Sequence, residues 1–273
     1  MSNWLRRWLT EPAVQELDPD ALEHTLAHRE VLRSKPVLRQ LFESFYRECR
    51  QMDDRYFGNC PGKRLEIGSG SSFFKEIFPD VLTSDIKALP FVDHVARAEA
   101  LPFEDNSIRA IYAINVFHHL PEPRRFFREL ERVLHPGGGI VMIEPYYGPV
   151  ARLLFTRLHA SEGYDLNVPA WEAEGELGAM SNANQALSYV VFVRDRAIFE
   201  HEFPDLELVL DRPHTHLRYI LSGGVNFRQL VPTLCGPLLV AMERLLTPLN
   251  SLLAIQHTLV LRKKVNRIQG APA

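Results

Sequence analysis

Between Lys63 and Pro145, short runs rich in β-branched and aliphatic residues alternate with stretches whose apolar residues recur at three- and four-residue spacing. The runs are "RLEI", "VLTSDI", "DHVAR", "AIYAINV" and "GIVMIEP". Such alternation predicts an α/β fold, with a mostly parallel sheet and helices on both faces. Upstream, residues 1–60 keep the helical spacing alone, with a break at Pro36, and predict a helical N-terminal segment. After Pro145 the rhythm is lost. Residues 146–190, rich in Gly, Ala, Asn and aromatics, predict an inserted lid or substrate wall without a clear element. "RDRAIFEHEF" then reads as a helix, and "LELVLD" and "HTLVLRK" as strands, with a broken apolar segment, 217–255, between them. The expected organisation is a helical segment 1–60 and a domain 61–273 with lid insertions at about 146–193 and 217–255.

Composition narrows the function classes. At 46% hydrophobic and 24% charged, the chain can bury a full core. Its net charge of −3 argues against general nucleic-acid binding, which needs a basic face. Cys49, Cys60 and Cys235 form no CxxC pair and suit a reducing compartment. The N-terminus "MSNWLRRWLT" lacks an apolar signal core, so a cytoplasmic location is expected. The longest apolar stretch, near the C-terminus, is interrupted by Pro232, Pro237, Pro248, Glu243 and Arg244, and no transmembrane span is expected.

The stretch "RLEIGSGSSFF" places a glycine turn between a strand and a helix-like run, Ser72 to Phe78. A dinucleotide site would need glycine where Phe73 stands, and the Glu66 carboxylate would repel a diphosphate. S-adenosylmethionine carries no phosphate. Its sulfonium and ammonium suit an acidic lip beside glycines. Asp85, which follows in "VLTSDI", stands where a second strand would offer an acid to a ribose diol.

In order and spacing, "LEIGSGSSFF", "SDI", "AEALPFEDNSI", "AINVFHHLPEP" and "FFRELERVLHPGGGIVMIEP" resemble the class I S-adenosylmethionine-dependent methyltransferases, in particular the type 11 group. The resemblance implies a doubly wound seven-stranded sheet of order 3-2-1-4-5-7-6, its last strand antiparallel, with the ligand over the carboxyl ends of the strands. It further implies that Glu66, Gly68, Ser69 and Gly70 line the methionine arm, Asp85 holds the ribose diol and Ile86 flanks the adenine. Asn115 would offer its carbonyl to the ammonium, and Ala98 a backbone N–H to the adenine edge. The family commonly has an aspartate, an acceptor for the adenine amino group, where this chain has Arg97. A guanidinium has no acceptor, so Arg97 either stacks on the adenine or turns outward to pair with a surface acid.

Methyl transfer to a hydroxyl requires an aligned acceptor, exclusion of water and a base. His118 and His119, directly after strand four, are the candidate bases, and Glu144 at the end of strand five the candidate orienting group. His159 and Glu162 in the insert, and His214 and His216 after strand six, are lesser candidates. No metal is expected at these histidines. The aromatic, leucine-rich additions favour a roofed pocket for a small molecule, or for a glycan or lipid precursor. Trp4, Leu5, Trp8 and Leu9, beside Arg6 and Arg7, could touch a membrane, but packing on the lid is the expected use. Methyl transfer to a hydroxyl is therefore the expected activity. A methyltransferase-like scaffold that has lost catalysis, and a nucleotide-dependent oxidoreductase, are the alternatives.

Overall fold

The computed structural model describes residues 8–15, 17, 18, 20–157, 162–173 and 183–265. Trp4, Leu5 and His159 lie outside the described residues. Helix α1 (Leu22–Ser34) and helix α2 (Pro36–Tyr56) meet at Lys35, whose extended backbone the following proline favours. Strand β1 (Lys63–Glu66) leads through the glycine turn to the single-turn helix α3 (Phe74–Ile77). The expected run from Ser72 to Phe78 thus shrinks to its middle, because the Ser72 hydroxyl accepts the Phe74 N–H in a local turn (3.0 Å).

Strands β2 (Val81–Asp85), β3 (His94–Val95) and β4 (Ile108–Ile114) follow. Helix α4 (Pro123–Val133) runs straight into β5 (Leu134–Pro145). Helix α5 (Pro149–Arg157) occupies part of the insert for which no element was expected. Proline opens it at a position where no N–H is needed, and Ala151 and Phe155 bury against Tyr146 and Ile255. A π-helical stretch, Val190–Arg194, precedes α6 (Arg196–Glu202) and strand β6 (Leu206–His214). The broken apolar segment forms α7 (Leu217–Ser222), α8 (Gly236–Leu246) and α9 (Asn250–Leu253), before strand β7 (Gln256–Lys263).

The sheet order is β3-β2-β1-β4-β5-β7-β6, as the family resemblance implied. β1 to β5 pair in parallel, and β7 is antiparallel to both β5 and β6. One face packs Leu65, Ile67, Ile111 and Met142 against α4, α6 and the π-helical stretch. The opposite face packs Tyr112, Val141, Ile143 and Val260 against α2.

A buried carboxylate fastens α2 to that second face. Asp53 accepts from Arg64 Nε (2.7 Å), Arg109 Nε (2.8 Å) and the Tyr112 hydroxyl (2.8 Å). The charged groups are paired and hydrogen-bonded, which makes their burial tolerable.

Candidate functional site

The β1 turn brings the backbone close to β4. Gly68 has φ +60°, and a Cβ there would sit 2.5 Å from Val116 Cγ2, so only glycine fits. The Gly70 N–H donates to Asp85 Oδ2 (2.8 Å), and the Lys87 N–H donates to Asp85 Oδ1 (2.8 Å). These bonds fix the carboxylate at the end of β2 and leave it lone pairs for hydroxyl donors. Asn115, at the end of β4, adopts φ +54°, a left-handed conformation that asparagine tolerates.

A cavity of about 710 Å³ opens over these strand ends, within the ~300–1,000 Å³ range of small-molecule sites. Gly68, Gly70, Asp85, Ile86, Arg97, Ala98 and Asn115 line it, and so do His118 and His119. Glu66 and Ser69 do not reach its wall. Glu66 is buried on the α2 side of the sheet, and its Oε2 has no partner among the described residues. Burial lifts its pKa to about 8, which the nearby Ser72 and Ser69 hydroxyls offset only in part. Arg97 is half-exposed, lines the cavity and lies 3.5 Å from Glu99, a buried acid in the same wall, so its partner is not a surface acid.

At the other end of the cavity Glu144, fully buried, accepts the N–H groups of Val116 (2.9 Å), Phe117 (2.8 Å) and His118 (3.3 Å). It therefore anchors the short helical turn Phe117–His119. Glu144 Oε2 also lies 2.6 Å from His118 Nδ1. An ionised carboxylate only accepts, so Nδ1 carries the proton and Nε2 is left to face Glu162 Oε2 at 3.6 Å. Burial opposes charge on His118, but the Glu144 and Glu162 carboxylates outweigh it and raise its pKa to about 9. His119 moves the other way, to about 4, through burial and the cationic His118 beside it. Its Nδ1 has no partner among the described residues. Burial works against the charged form of Glu144 too, yet His118 and the three N–H donors hold its pKa below the usual range.

Glu162 lines the cavity and accepts from Gln185 Nε2 (3.0 Å). Ligand atoms of His118, His119 and Glu162 lie within 4.8 Å of one another, a set of types that divalent metals use. Glu144, His118, Glu162 and Gln185 follow one another at 2.6, 3.6 and 3.0 Å. His214 and His216 stand apart from the cavity, bonded to Thr258 (2.8 Å) and Asn250 (2.8 Å). The sequence reading passed over His24 and His28, although their four-residue spacing puts both on one face of α1. Both line the cavity, and His28 Nε2 meets Asn226 Oδ1 at 3.1 Å. Gln185, Gln256 and Tyr219, also in the wall, carry no sequence signal of their own.

Residues 65–142 match the family model described as "Methyltransferase domain". The chain carries a class I methyltransferase domain. S-adenosylmethionine is the cofactor of such domains, and the residues present fit it: a glycine cradle that a Cβ would fill, a fixed carboxylate at the end of β2, and a cavity of sufficient size. Among curated relatives, a demethylmenaquinone methyltransferase of Renibacterium salmoninarum is 32% identical over 34% of this chain and 46% of its own length. An uncharacterized methyltransferase of Mycobacterium leprae is 33% identical over 29% of this chain and 35% of its own. The chain thus spans less than half the length of these relatives. Among solved structures, geranyl diphosphate C-methyltransferase from Streptomyces coelicolor superposes with a TM-score of 0.50 at 13% identity, covering 94% of this chain and 89% of that one. That likeness is one of fold.

Proposed function

We propose that the protein transfers a methyl group from S-adenosylmethionine to a hydroxyl of a small acceptor, in the class of sugars and glycan or lipid precursors. One observation carries this reading: the glycine turn with Asp85, and the Glu144-anchored His118, line the same cavity. The cofactor supplies an electrophilic methyl group on a sulfonium. Gly68, Gly70, Asp85, Ile86, Ala98 and Asn115 hold it, and the neutral acid Glu66 shapes the turn from behind. Glu144 keeps the proton of His118 on Nδ1, so that Nε2 takes the proton of the acceptor hydroxyl. Glu162 and Gln185 position that hydroxyl, and His119 keeps the adjoining wall uncharged.

The segments 146–193 and 217–255 act as the roof. They contribute Phe155, Glu162, Gln185, Tyr219 and Phe227 to the cavity, and the N-terminal segment adds His24, His28 and Phe42. Enclosure of this kind excludes water from the transfer. Arg97, which cannot accept from the adenine amino group, favours a second reading as a binding protein without turnover.

Calorimetric titration with S-adenosylmethionine and S-adenosylhomocysteine, with Asp85→Ala as control, tests the first step. Micromolar binding that is lost in the control supports the proposal, and no binding by the intact chain refutes it. Binding without methyl transfer across a panel of hydroxylated acceptors would favour the second reading.

A further inference from the structure

The solvent face of α8 and its flanks is apolar and basic. Leu234, Leu238, Met242, Leu245, Leu249 and Leu252 follow one another at three- and four-residue spacing, and all are exposed: Leu234 is 83%, Leu238 61% and Leu245 80% accessible. Such a stripe belongs inside a protein or against a partner. α5 packs on α9 and adds the exposed Leu153 beside it. Trp8, also exposed, lies at the edge where the Arg228 N–H donates to the Leu9 carbonyl (2.7 Å).

Along the described stretches that carry these leucines, exposed charge has one sign. Over residues 149–157 and 228–252 the exposed charged side chains are Arg152, Arg157, Arg228 and Arg244. The one carboxylate in these stretches, Glu243, is buried and bonded to Arg218 Nε (2.6 Å). In a chain with 34 acidic residues and a net charge of −3, two described stretches that expose arginines and leucines and no carboxylate are selective.

We infer that this face docks the protein onto an anionic lipid surface. The leucines enter the acyl boundary while the arginines meet headgroup phosphates, as in interfacial amphipathic helices. α8 has 11 residues, roughly 16 Å of helix, so it lies on a bilayer and does not cross it. No described helix is long and apolar enough to cross a membrane. A second copy of the chain is a poorer occupant, because a self-paired face would set the arginines of these described stretches against one another, with no exposed carboxylate among them. The elements that carry the face also wall the cavity: α5 through Phe155, and the stretch before α8 through Val225, Asn226 and Phe227. Docking therefore turns the roof of the cavity toward the lipid. This inference stands on the surface alone and does not require that the cavity methylates.

The test is co-sedimentation of the full chain with phosphatidylcholine vesicles, with and without phosphatidylglycerol. Binding to the phosphatidylglycerol vesicles that weakens with salt, and drops about tenfold or more in Leu238→Glu/Leu245→Glu, supports docking. Arg244→Glu is expected to weaken binding less. Both variants are solvent-facing, and unchanged circular dichroism and cofactor titration would show that the fold persists. Absence of binding to the anionic vesicles, or equal binding by the double variant, overturns the inference. So does a dimer in analytical ultracentrifugation that the double variant converts to monomer.

Discussion

Replacing Glu66 by glutamine should stabilise the protein, and the gain should depend on pH in a way that identifies the cause. Glu66 is 3% exposed, and Oε2 has no partner among the described residues. Burial raises its pKa from the ordinary 4.5 to about 8. An unfolded chain releases this proton above 4.5, while the folded protein keeps it until about 8. In that window the folded state therefore binds one more proton than the unfolded state, and stability falls as pH rises. Each unit corresponds to about 1.4 kcal/mol. The cost of the carboxyl is near zero at pH 4.5, roughly 3 kcal/mol at pH 7 and on the order of 5 kcal/mol above pH 8.

Glutamine has the same shape and does not ionise, so Glu66→Gln removes this slope and leaves every other titration in place. Urea unfolding of both proteins at pH 5, 6, 7 and 8 gives the difference directly. It should be small at pH 5 and grow by roughly 1.4 kcal/mol per pH unit up to pH 8. A difference that stays flat across this range would mean that Glu66 ionises normally, and the reasoning about its burial would fail. A glutamine variant less stable at every pH would refute it as well.

Gly68→Ala should weaken S-adenosylmethionine binding by tenfold or more in calorimetry. The left-handed φ of +60° costs about 1 kcal/mol, and the clash with Val116 at 2.5 Å pushes that side chain into the cavity. Asp53→Ala should lower unfolding free energy by roughly 3–5 kcal/mol in urea titration, since it leaves Arg64, Arg109 and Tyr112 without their shared acceptor. Under the proposed mechanism, kcat/KM for methyl transfer should rise with pH toward a plateau above about 9, because His118 must lose a proton before it can accept one. Glu162→Gln removes one of the two carboxylates that raise the His118 pKa, so the limb should move to lower pH. An unmoved limb would assign the ionisation to another group.

The strand runs and the helical spacing of residues 1–60 were legible because burial imposes a period on each kind of element. β2, β4, β5, β6 and β7 all fall where the apolar runs stand. Tertiary placement was harder. α5 was hidden because it is only nine residues long and opens on proline, and its helicity depends on contacts that Ala151 and Phe155 make with Tyr146 and Ile255. Glu162 looked no different from loop histidines that the fold carries elsewhere. What singles it out is a Gln185 amide and a His118 imidazole brought from distant parts of the chain. His24 and His28 had a readable spacing but no readable destination, because only the packing of α1 brings them over the strand ends.

Glu66 shows where the reading of a motif stops. Along a strand, side chains alternate between the two faces. Leu65 and Ile67 share the core beside α4 and α6, so Glu66 between them must face the other side, which α2 covers. A residue just before a glycine turn can thus be adjacent to a ligand in sequence and screened from it by one layer of protein. Parity predicts that screening once the face covered by α2 is known, and α2 is held there by Asp53. Loss of the Asp53 anchor should therefore let water reach Glu66 and bring its pKa back toward 4.5. The pH-dependent gain from Glu66→Gln should shrink in an Asp53→Ala background, and two gains that simply add would mean that α2 shields Glu66 without the Asp53 anchor.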